Sequence, residues 1–539
     1  MTGSADRGSS RPLAGWRSLE PSDFSFHGFG DLKPVEQRKI SKLSIRTDPP
    51  IVSIVDGAIF VPGRNESNSD HLRVVGGIVT SDGQPVETAQ LHRRGGKHFG
   101  GLIEQVSVAA ESELDEDVIY LGPLFNHFGR FLLDTLARVW YLSEVDPSLK
   151  VVFNNTTSAK NTNLLQAAYP SWVFRLLSVF GISLERILTF DQPTRLRRAI
   201  VPEPLFEQLY SAHVDMARPF QEVAARIAAD VVPSDQPLYL SRRRLRSPAR
   251  PIIGESELED LLRQQGFTIA YPETLTIEDQ IRLINSHSHI FSTVGSAAHS
   301  ILFALGKPSL HLLADRESVP GNFFLCSMLA NAPTTIVNCM GSGDRISTKT
   351  ERLYGGAGTV GEPEEIHSSG TELRPQTMPR LLEVDRVFGY LDQKGFLENC
   401  SPATMPGPGS AESLRRRYDE AWFYVRLRKT SKSLELLPAD LEREALDLAS
   451  ESWLVSFMLA RYYARVGDRP RADALVNRFA ALVAEETDDD RLAYYGGDIC
   501  GMARRIASKC EPETAERLMT IVTERFSKET RTKTFSVPE

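Results

Sequence analysis

The sequence predicts an α/β protein with two successive strand-and-helix series, a β-rich portion ahead of them and an all-helical portion behind. Three observations carry this. From Val118 to Val201 short apolar runs alternate with helical stretches, and the alternation starts afresh at Leu238 and runs to Leu313, as in parallel sheets covered by helices. Between Ile51 and Gly101 short apolar runs are punctuated by Asp56-Gly57, Gly63 and Asp82-Gly83, the signature of antiparallel hairpins. From Ala411 to Phe526 apolar residues recur at spacings of three and four, which is helical throughout.

Composition narrows the classes. A chain of 539 residues is too long for one core and divides into several domains. Its hydrophobic fraction of 41% and charged fraction of 24% are those of a soluble globular protein, and a net charge of -8 argues against a general nucleic-acid binder. No run is long and apolar enough for a membrane span, and the polar start Met1 to Arg11 lacks the apolar centre of a signal peptide. A cytoplasmic location is therefore expected. The five cysteines, Cys326, Cys339, Cys400, Cys500 and Cys510, are odd in number and without CxxC spacing, so neither a disulfide framework nor a zinc site is indicated.

Taken in order, residues 1–48 are polar and read as a loosely ordered entry that docks through Trp16 and Phe24 to Phe29. Residues 49–232 form a first domain, with hairpins from Ile51–Val55, Ala58–Val61 and Leu72–Ile78, then strands at Val118–Leu121, Lys150–Phe153, Ile187–Phe190 and Ala199–Val201. A helix from Phe128 to Leu142 carries Phe128, Phe131, Leu132, Leu136 and Val139 on one stripe. Helices near Ser171–Phe180 and Phe220–Asp230 follow, and Val231 to Asp235 reads as a linker. Residues 233–340 form a second domain, with strands Leu238–Leu240, Phe267–Ala270 and Ser309–Leu313, and helices Ser256–Gln265 and Ile277–Asn285. The latter is entered through Thr276 with Asp279 three residues on, a capping box. Residues 341–410 comprise a Gly- and Ser-rich loop or insertion, Gly341 to Pro375, and a partly helical return over 376–400. Residues 411–539 are a helical extension in which Leu459, Tyr463, Gly467-Asp468 and Ala474 resemble one tetratricopeptide helix pair.

Three constellations carry chemistry. His289 to Val294 reads as a buried strand, Gly295 breaks it, and Ala297 to Leu305 continues as a helix. A strand, turn and helix of this kind presents unpaired amides to an anion, with Ser296 as cap and His299 one turn in as a further donor. A serine nucleophile is the rival reading, but Val294-Gly295-Ser296-Ala297-Ala298 lacks the second glycine of a hydrolase elbow. Next, Ser241-Arg242-Arg243-Arg244 follows the strand Leu238–Leu240, with Arg246 and Arg250 beyond. Guanidinium forks at a strand's carboxyl end suit a diphosphate, and the rival is a solvated basic loop. Last, Asn126-His127-Phe128-Gly129-Arg130-Phe131-Leu132-Leu133-Asp134 opens a helix whose His127, Arg130, Asp134 and Arg138 fall on one face. That face supplies either a general base or an exposed ion-pair ladder.

These stretches, with Leu238-Tyr239-Leu240-Ser241-Arg242-Arg243, Gly254-Glu255, Gly266-Phe267, Pro272-Glu273, Gln280 and Gly295-Ser296-Ala297-Ala298-His299, together resemble the family 61 glycosyltransferases, most closely the bacterial members that are similar to capsular-polysaccharide enzymes. The resemblance covers roughly Ile51 to Asp315. It implies a GT-B architecture, two Rossmann-like domains facing a cleft, and inverting, metal-independent transfer from a nucleotide sugar to a glycan or glycoconjugate hydroxyl. It further implies that Arg242 and Arg243 contact the diphosphate, that Gly295, Ser296 and Ala297 cradle it with His299 in support, that Glu255 contacts the nucleoside or orders the arginines, and that His127 or Asp134 is the base. There are departures. Arg130 stands where many members have His, and Gly254 where many have Asn. The helices after Ala411 lie outside the resemblance and are expected to dock a protein partner or a second copy. The Asp488-Asp489-Asp490 run is set aside as surface charge rather than a metal motif. The alternative to an enzyme is a catalytically inactive scaffold of the same fold whose helical tail recruits partner proteins.

Overall fold

The structure, a computed structural model, describes residues 15–67, 72–102, 104–155, 162–245, 252–314, 319–339, 380–397, 420, 427, 439–486 and 489–526. The loop Gly341 to Pro375, Arg246, Arg250, Asp488 and the tail after Lys528 lie outside the described residues. The chain gathers into two compact units, one of Met1–Leu240 with Gly266–Asn338, the other of Ser241–Gln265 with Cys339–Glu539.

In the first unit, strand Ser112–Pro123 is the axis of a nine-stranded sheet. Its second half, Val118 to Pro123, is buried throughout, which is why that stretch is apolar without alternation. It pairs in parallel with Lys150–Asn154 and with Thr194–Pro202, and Lys150–Asn154 pairs in parallel with Ile187–Leu188. These are the strands the alternating pattern predicts. The Asp56-Gly57 hairpin does not form. Val52–Asp56 and Ile59–Ser67 instead run one after the other along Thr194–Pro202, both antiparallel to it. Gly57, at φ 60°, makes the bend between them, and its N–H donates to Arg197 O at 2.9 Å. Antiparallel pairs do form between Ile59–Ser67 and Leu72–Val79 and between Leu91–Arg93 and Lys97–Gly100.

The second sheet of this unit has six strands in the order Thr268–Ala270, Leu238–Leu240, His289–Thr293, Ser309–Ala314, Thr334–Asn338, Ser25–His27, and every neighbouring pair is parallel. The edge strand Ser25–His27 comes from the N-terminal stretch, with Phe24 set edge-on to Phe324 at 4.7 Å. The helix Ile277–Asn285 starts as its sequence dictates, Thr276 Oγ1 accepting the Asp279 N–H at 3.1 Å. Both sheets share one core. Ile119, Leu121 and Val151 belong to the same buried cluster as Ile290, Leu310 and Leu312, and Phe220, on helix Arg218–Ile227, stands edge-on to Phe180 and Phe303 at 5.2 and 5.0 Å.

In the second unit, Ile252–Ile253 pairs in parallel with Arg380–Leu381 and leads into helix Glu255–Gln264, which meets helix Val384–Gln393. The C-terminal helices have their own core around Trp453, Phe479 and Phe526. Trp453–Val466 and Arg469–Glu485 form the helix pair expected from the sequence. Gly467 turns between them at φ 88°, and Asp468 Oδ1 caps the second helix by accepting the Arg471 N–H at 3.2 Å. Asp489–Ala507 and Pro512–Phe526 make a second hairpin that stacks on the first and buries its open face.

Candidate active site

The first motif begins where strand Ser112–Pro123 ends. His127 is exposed and occupies the N-cap position, its Nδ1 accepting the Arg130 N–H at 3.3 Å. The expected regular helix is replaced by a short α turn at Phe128–Arg130, a wider π turn at Phe131–Thr135 and a tighter 3-10 run at Leu136–Glu144. These changes of pitch break the single face on which His127, Arg130, Asp134 and Arg138 were expected. Arg138 turns fully inward and donates to the carbonyls of Pro202, Thr88 and Gln90 at 3.0, 2.9 and 2.9 Å. Burial pulls its guanidinium down to about 10.

Asp134 is 1% exposed, so the ladder is not a surface feature. Its Oδ2 accepts from Gln208 Nε2 at 2.7 Å and from Arg130 Nε at 3.1 Å. Burial pushes the carboxyl above the usual range, while Arg130, Gln208 and Arg93 act against that rise. Arg130 lies 3.5 Å over the ring of Phe125. Gln208, 74 positions away, left no signal in the sequence.

The second motif follows strand His289–Thr293. Its helix, Ser296–Phe303, is a 3-10 helix in which Gly295 occupies the cap position, and no side chain caps it. Ser296 therefore sits one residue too late for the capping role expected of it. The Ala298 N–H donates to Gly295 O at 3.1 Å, so the amides of Ser296 and Ala297 precede the first bond of the helix. Gly295, Ser296 and Ala297 are partly exposed, whereas His299 is 6% exposed and, among the described residues, neither of its ring nitrogens has a hydrogen-bond partner. Its ring lies against Phe323, centroids 4.6 Å apart. Burial, then the nearby charge of His127, pushes the imidazole down to about 3, which keeps it neutral.

The two motifs, more than 150 residues apart in sequence, meet at Gly129. A Cβ on that residue would lie 2.9 Å from Ser296 Oγ, 3.2 Å from Ser296 Cβ and 3.2 Å from His299 Nδ1. A Cβ there would force Ser296 and His299 to shift. Ser296 and His299 are thereby brought against the turn that His127 opens, near enough for the charge of His127 to act on His299.

The remaining candidates lie in the second unit. Glu255, in the first turn of helix Glu255–Gln264, accepts the Arg242 N–H through Oε1 at 2.9 Å. One turn on, fully buried Glu259 accepts from Ser241 Oγ at 2.6 Å and pairs with Arg243 at 3.5 Å and Arg263 at 2.7 Å. Ser241 Oγ also accepts the Arg243 N–H at 3.0 Å. The arginine turn is therefore pinned by two carboxylates. Among the described residues no ion pair engages the Arg242 side chain, whereas Arg243 is drawn to Glu259. Glu259 was missed in the sequence, although its spacing of four from Glu255 places both on one helix face. Gly254 is at φ 95°, and a Cβ there would lie 2.5 Å from Leu382 O, which accounts for glycine at this position.

Residues 128–309 match the family model described as Glycosyltransferase 61. The match takes in the second motif and all of the first but Asn126 and His127, and it supports a glycosyltransferase. The matched region carries the likeness to glycosyltransferase family 61 and ends well before the C-terminal helices. No curated protein matches the chain.

Proposed function

We propose that the protein is an inverting, GT-B-type glycosyltransferase. It moves a sugar from a nucleotide-sugar donor to a hydroxyl of a glycan or glycoconjugate, without a divalent metal, in cytoplasmic steps of surface-polysaccharide assembly. The observation that carries this is the packing of Gly129 on Ser296 and His299 inside the region that matches the family. With His127 two residues before Gly129 and exposed, this packing supports reading His127 as a base and the Ser296 and Ala297 amides as an anion cradle.

In the reaction the acceptor oxygen attacks the anomeric carbon on the face opposite the nucleotide. The bond to the diphosphate breaks with its electron pair leaving on the diphosphate oxygen, and the hydroxyl proton passes to His127 Nε2. His127 is preferred to Asp134 as base because it is exposed, while Asp134 is buried against Arg130 and Gln208. Accepting at Nε2 requires the tautomer protonated on Nδ1, which gives up the 3.3 Å cap bond to Arg130 N. That bond is long, and its loss costs about 1 kcal/mol. Gly295, Ser296 and Ala297 hold diphosphate oxygens, with neutral His299 behind them. Arg242, considered by itself, is the candidate phosphate-binding cation of the second unit; Glu255 orders its backbone, and Arg243 has the lesser share because Glu259 holds it.

The test is transfer by the full chain from a panel of nucleotide sugars onto candidate acceptors, with the product anomer read by NMR. Inverted product is expected, and Arg242→Ala should weaken nucleoside diphosphate binding about tenfold or more, the worth of a charge-assisted contact. Retained configuration, or equal nucleotide affinity in a folded Arg242→Ala variant, overturns the assignment. Nucleotide binding with neither transfer nor slow donor hydrolysis identifies the inactive scaffold instead.

A further inference from the structure

The turn Glu207–Tyr210 links the two motifs by a route separate from Gly129. It joins strands Phe206–Glu207 and Ser211–His213, which pair antiparallel, and the Tyr210 N–H closes it on Glu207 O at 3.1 Å. Its third residue, half-buried Leu209, has φ 61°. That region favours Gly or Asn at this place in a turn, so the leucine is held there by its surroundings.

The surroundings grip the turn from three segments. Glu207 Oε1 accepts the Gly95 and Gly96 N–H groups at 2.9 and 2.7 Å, and Gln208 O accepts the Arg94 N–H at 3.0 Å. Tyr210 O accepts the Ser44 N–H at 3.0 Å. The Leu209 N–H donates to Asn322 Oδ1 at 2.7 Å. Asn322 is the second residue of helix Gly321–Leu329, and the next, Phe323, is the one that lies against His299. A strained backbone over-determined in this way is characteristic of functional sites.

The turn delivers one side chain into the first motif. Gln208, 6% exposed, donates from Nε2 to Asp134 Oδ2 at 2.7 Å, and the same oxygen accepts from Arg130 Nε at 3.1 Å. Accepting from two donors suits an ionised carboxylate. The charged groups that act on Asp134 are Arg130 from its own segment, Arg93 from strand Leu91–Arg93 and Arg138 from the 3-10 run. Arg138 is engaged by the carbonyls of Pro202, Thr88 and Gln90, and Arg93 and Arg130 have partners besides Asp134. Glu207, the carboxylate of the turn itself, bonds to the Gly95 and Gly96 amides. Among the described residues the Gln208 side chain hydrogen-bonds to Asp134 alone.

We infer that Gln208 is a positioning residue for the transfer reaction: seated by the Leu209–Asn322 tie, it holds Asp134 as a carboxylate against Arg130 and so fixes the turn that His127 opens. The inference rests on the glycosyltransferase reading and adds to it a residue that touches neither substrate nor base. Removing the amide makes ionisation of the buried carboxyl harder, so Asp134 takes up its proton at a higher pH. A protonated Asp134 loosens its hold on Arg130, whose own N–H bonds to His127, and transfer is lost from that same higher pH downward.

The experiment is pH-difference infrared spectroscopy of the full chain, with the Asp134 carboxyl band assigned as the one missing in Asp134→Asn, alongside pH profiles of kcat and KM. Gln208→Met keeps the length of the side chain and removes the donor. In it the Asp134 midpoint should rise by about one pH unit or more, the acid limb of kcat should rise with it, and KM for the donor should stay as in the parent. Asn322→Ala should give a smaller rise of the same sign, and none when added to Gln208→Met. A midpoint alike in the parent and Gln208→Met overturns the inference. So does a raised midpoint with an unmoved acid limb, or an Asn322→Ala shift that persists in the double variant. A parent that transfers no sugar removes the glycosyltransferase reading, and the infrared midpoint then decides by itself whether Gln208 governs Asp134.

Discussion

Two crossings from strand to helix, Pro123 to Phe128 and Thr293 to Ser296, are alike in plan and opposite in the treatment of their histidine. Each leaves the carboxyl end of a parallel strand and enters a short, irregular helix. In the first, the histidine precedes the helix and is exposed, acting as its cap. In the second it lies inside the helix, 6% exposed, against Phe323. Position relative to the cap thus decides whether an imidazole meets solvent or is buried as part of the wall. The two are coupled because Gly129 lets the crossings touch.

The sharpest way to break this contrast is to remove the proposed base while keeping the cap. In His127→Asn the new side chain still accepts the Arg130 N–H, so the melting temperature should hold while the transfer rate falls about 10²–10⁴-fold. Equal losses of rate and stability would make His127 a cap and nothing more.

His299 should reveal itself through acid sensitivity. Its folded-state value lies near 3, against an ordinary 6.5 in the unfolded chain, so the unfolded state binds the extra proton between those limits. Stability contributed by this neutral ring is present above about pH 6.5 and is lost as the pH falls, by about 1 kcal/mol per unit. Denaturant titrations of the parent and His299→Gln across pH 4–7 measure it. A parent and variant with the same pH slope would show that the buried ring is not responsible.

The contact between the crossings is tested by Gly129→Ala. The added methyl meets Ser296 and His299 at 2.9–3.2 Å, and overpacking of this kind costs about 1–3 kcal/mol. Chemical denaturation reads the loss, and the variant should also transfer more slowly because the base moves away from the cradle amides. An unchanged variant would mean that the two crossings are free to separate.

Much of the strand order was legible. Buried strands such as Val118–Leu121 and Leu238–Leu240 are apolar runs ended by Gly or a charge, and the Thr276 cap lies in a four-residue window, so local chemistry suffices. The broken Phe128–Leu142 helix was not legible, because its residues suit a regular helix and the changes in pitch come from what it packs on. The Asp56-Gly57 bend was misread for a similar reason. That dipeptide favours a hairpin locally, but the pairing went to Thr194–Pro202, far along the chain. Asp134 was found and its surroundings were not, since Gln208 and Arg93 are neighbours only after folding.

The sequence by itself determined which residue types stand at each strand end: a glycine-serine turn, arginines, a histidine and a carboxylate. Only the tertiary structure decided which of them meet and in what charge state. Burial, not residue identity, keeps His299 neutral and withdraws Asp134 from solvent. A missing Cβ at Gly129 brings the two halves of the site into contact, and no local pattern records that, because a glycine in sequence does not say what will press against it.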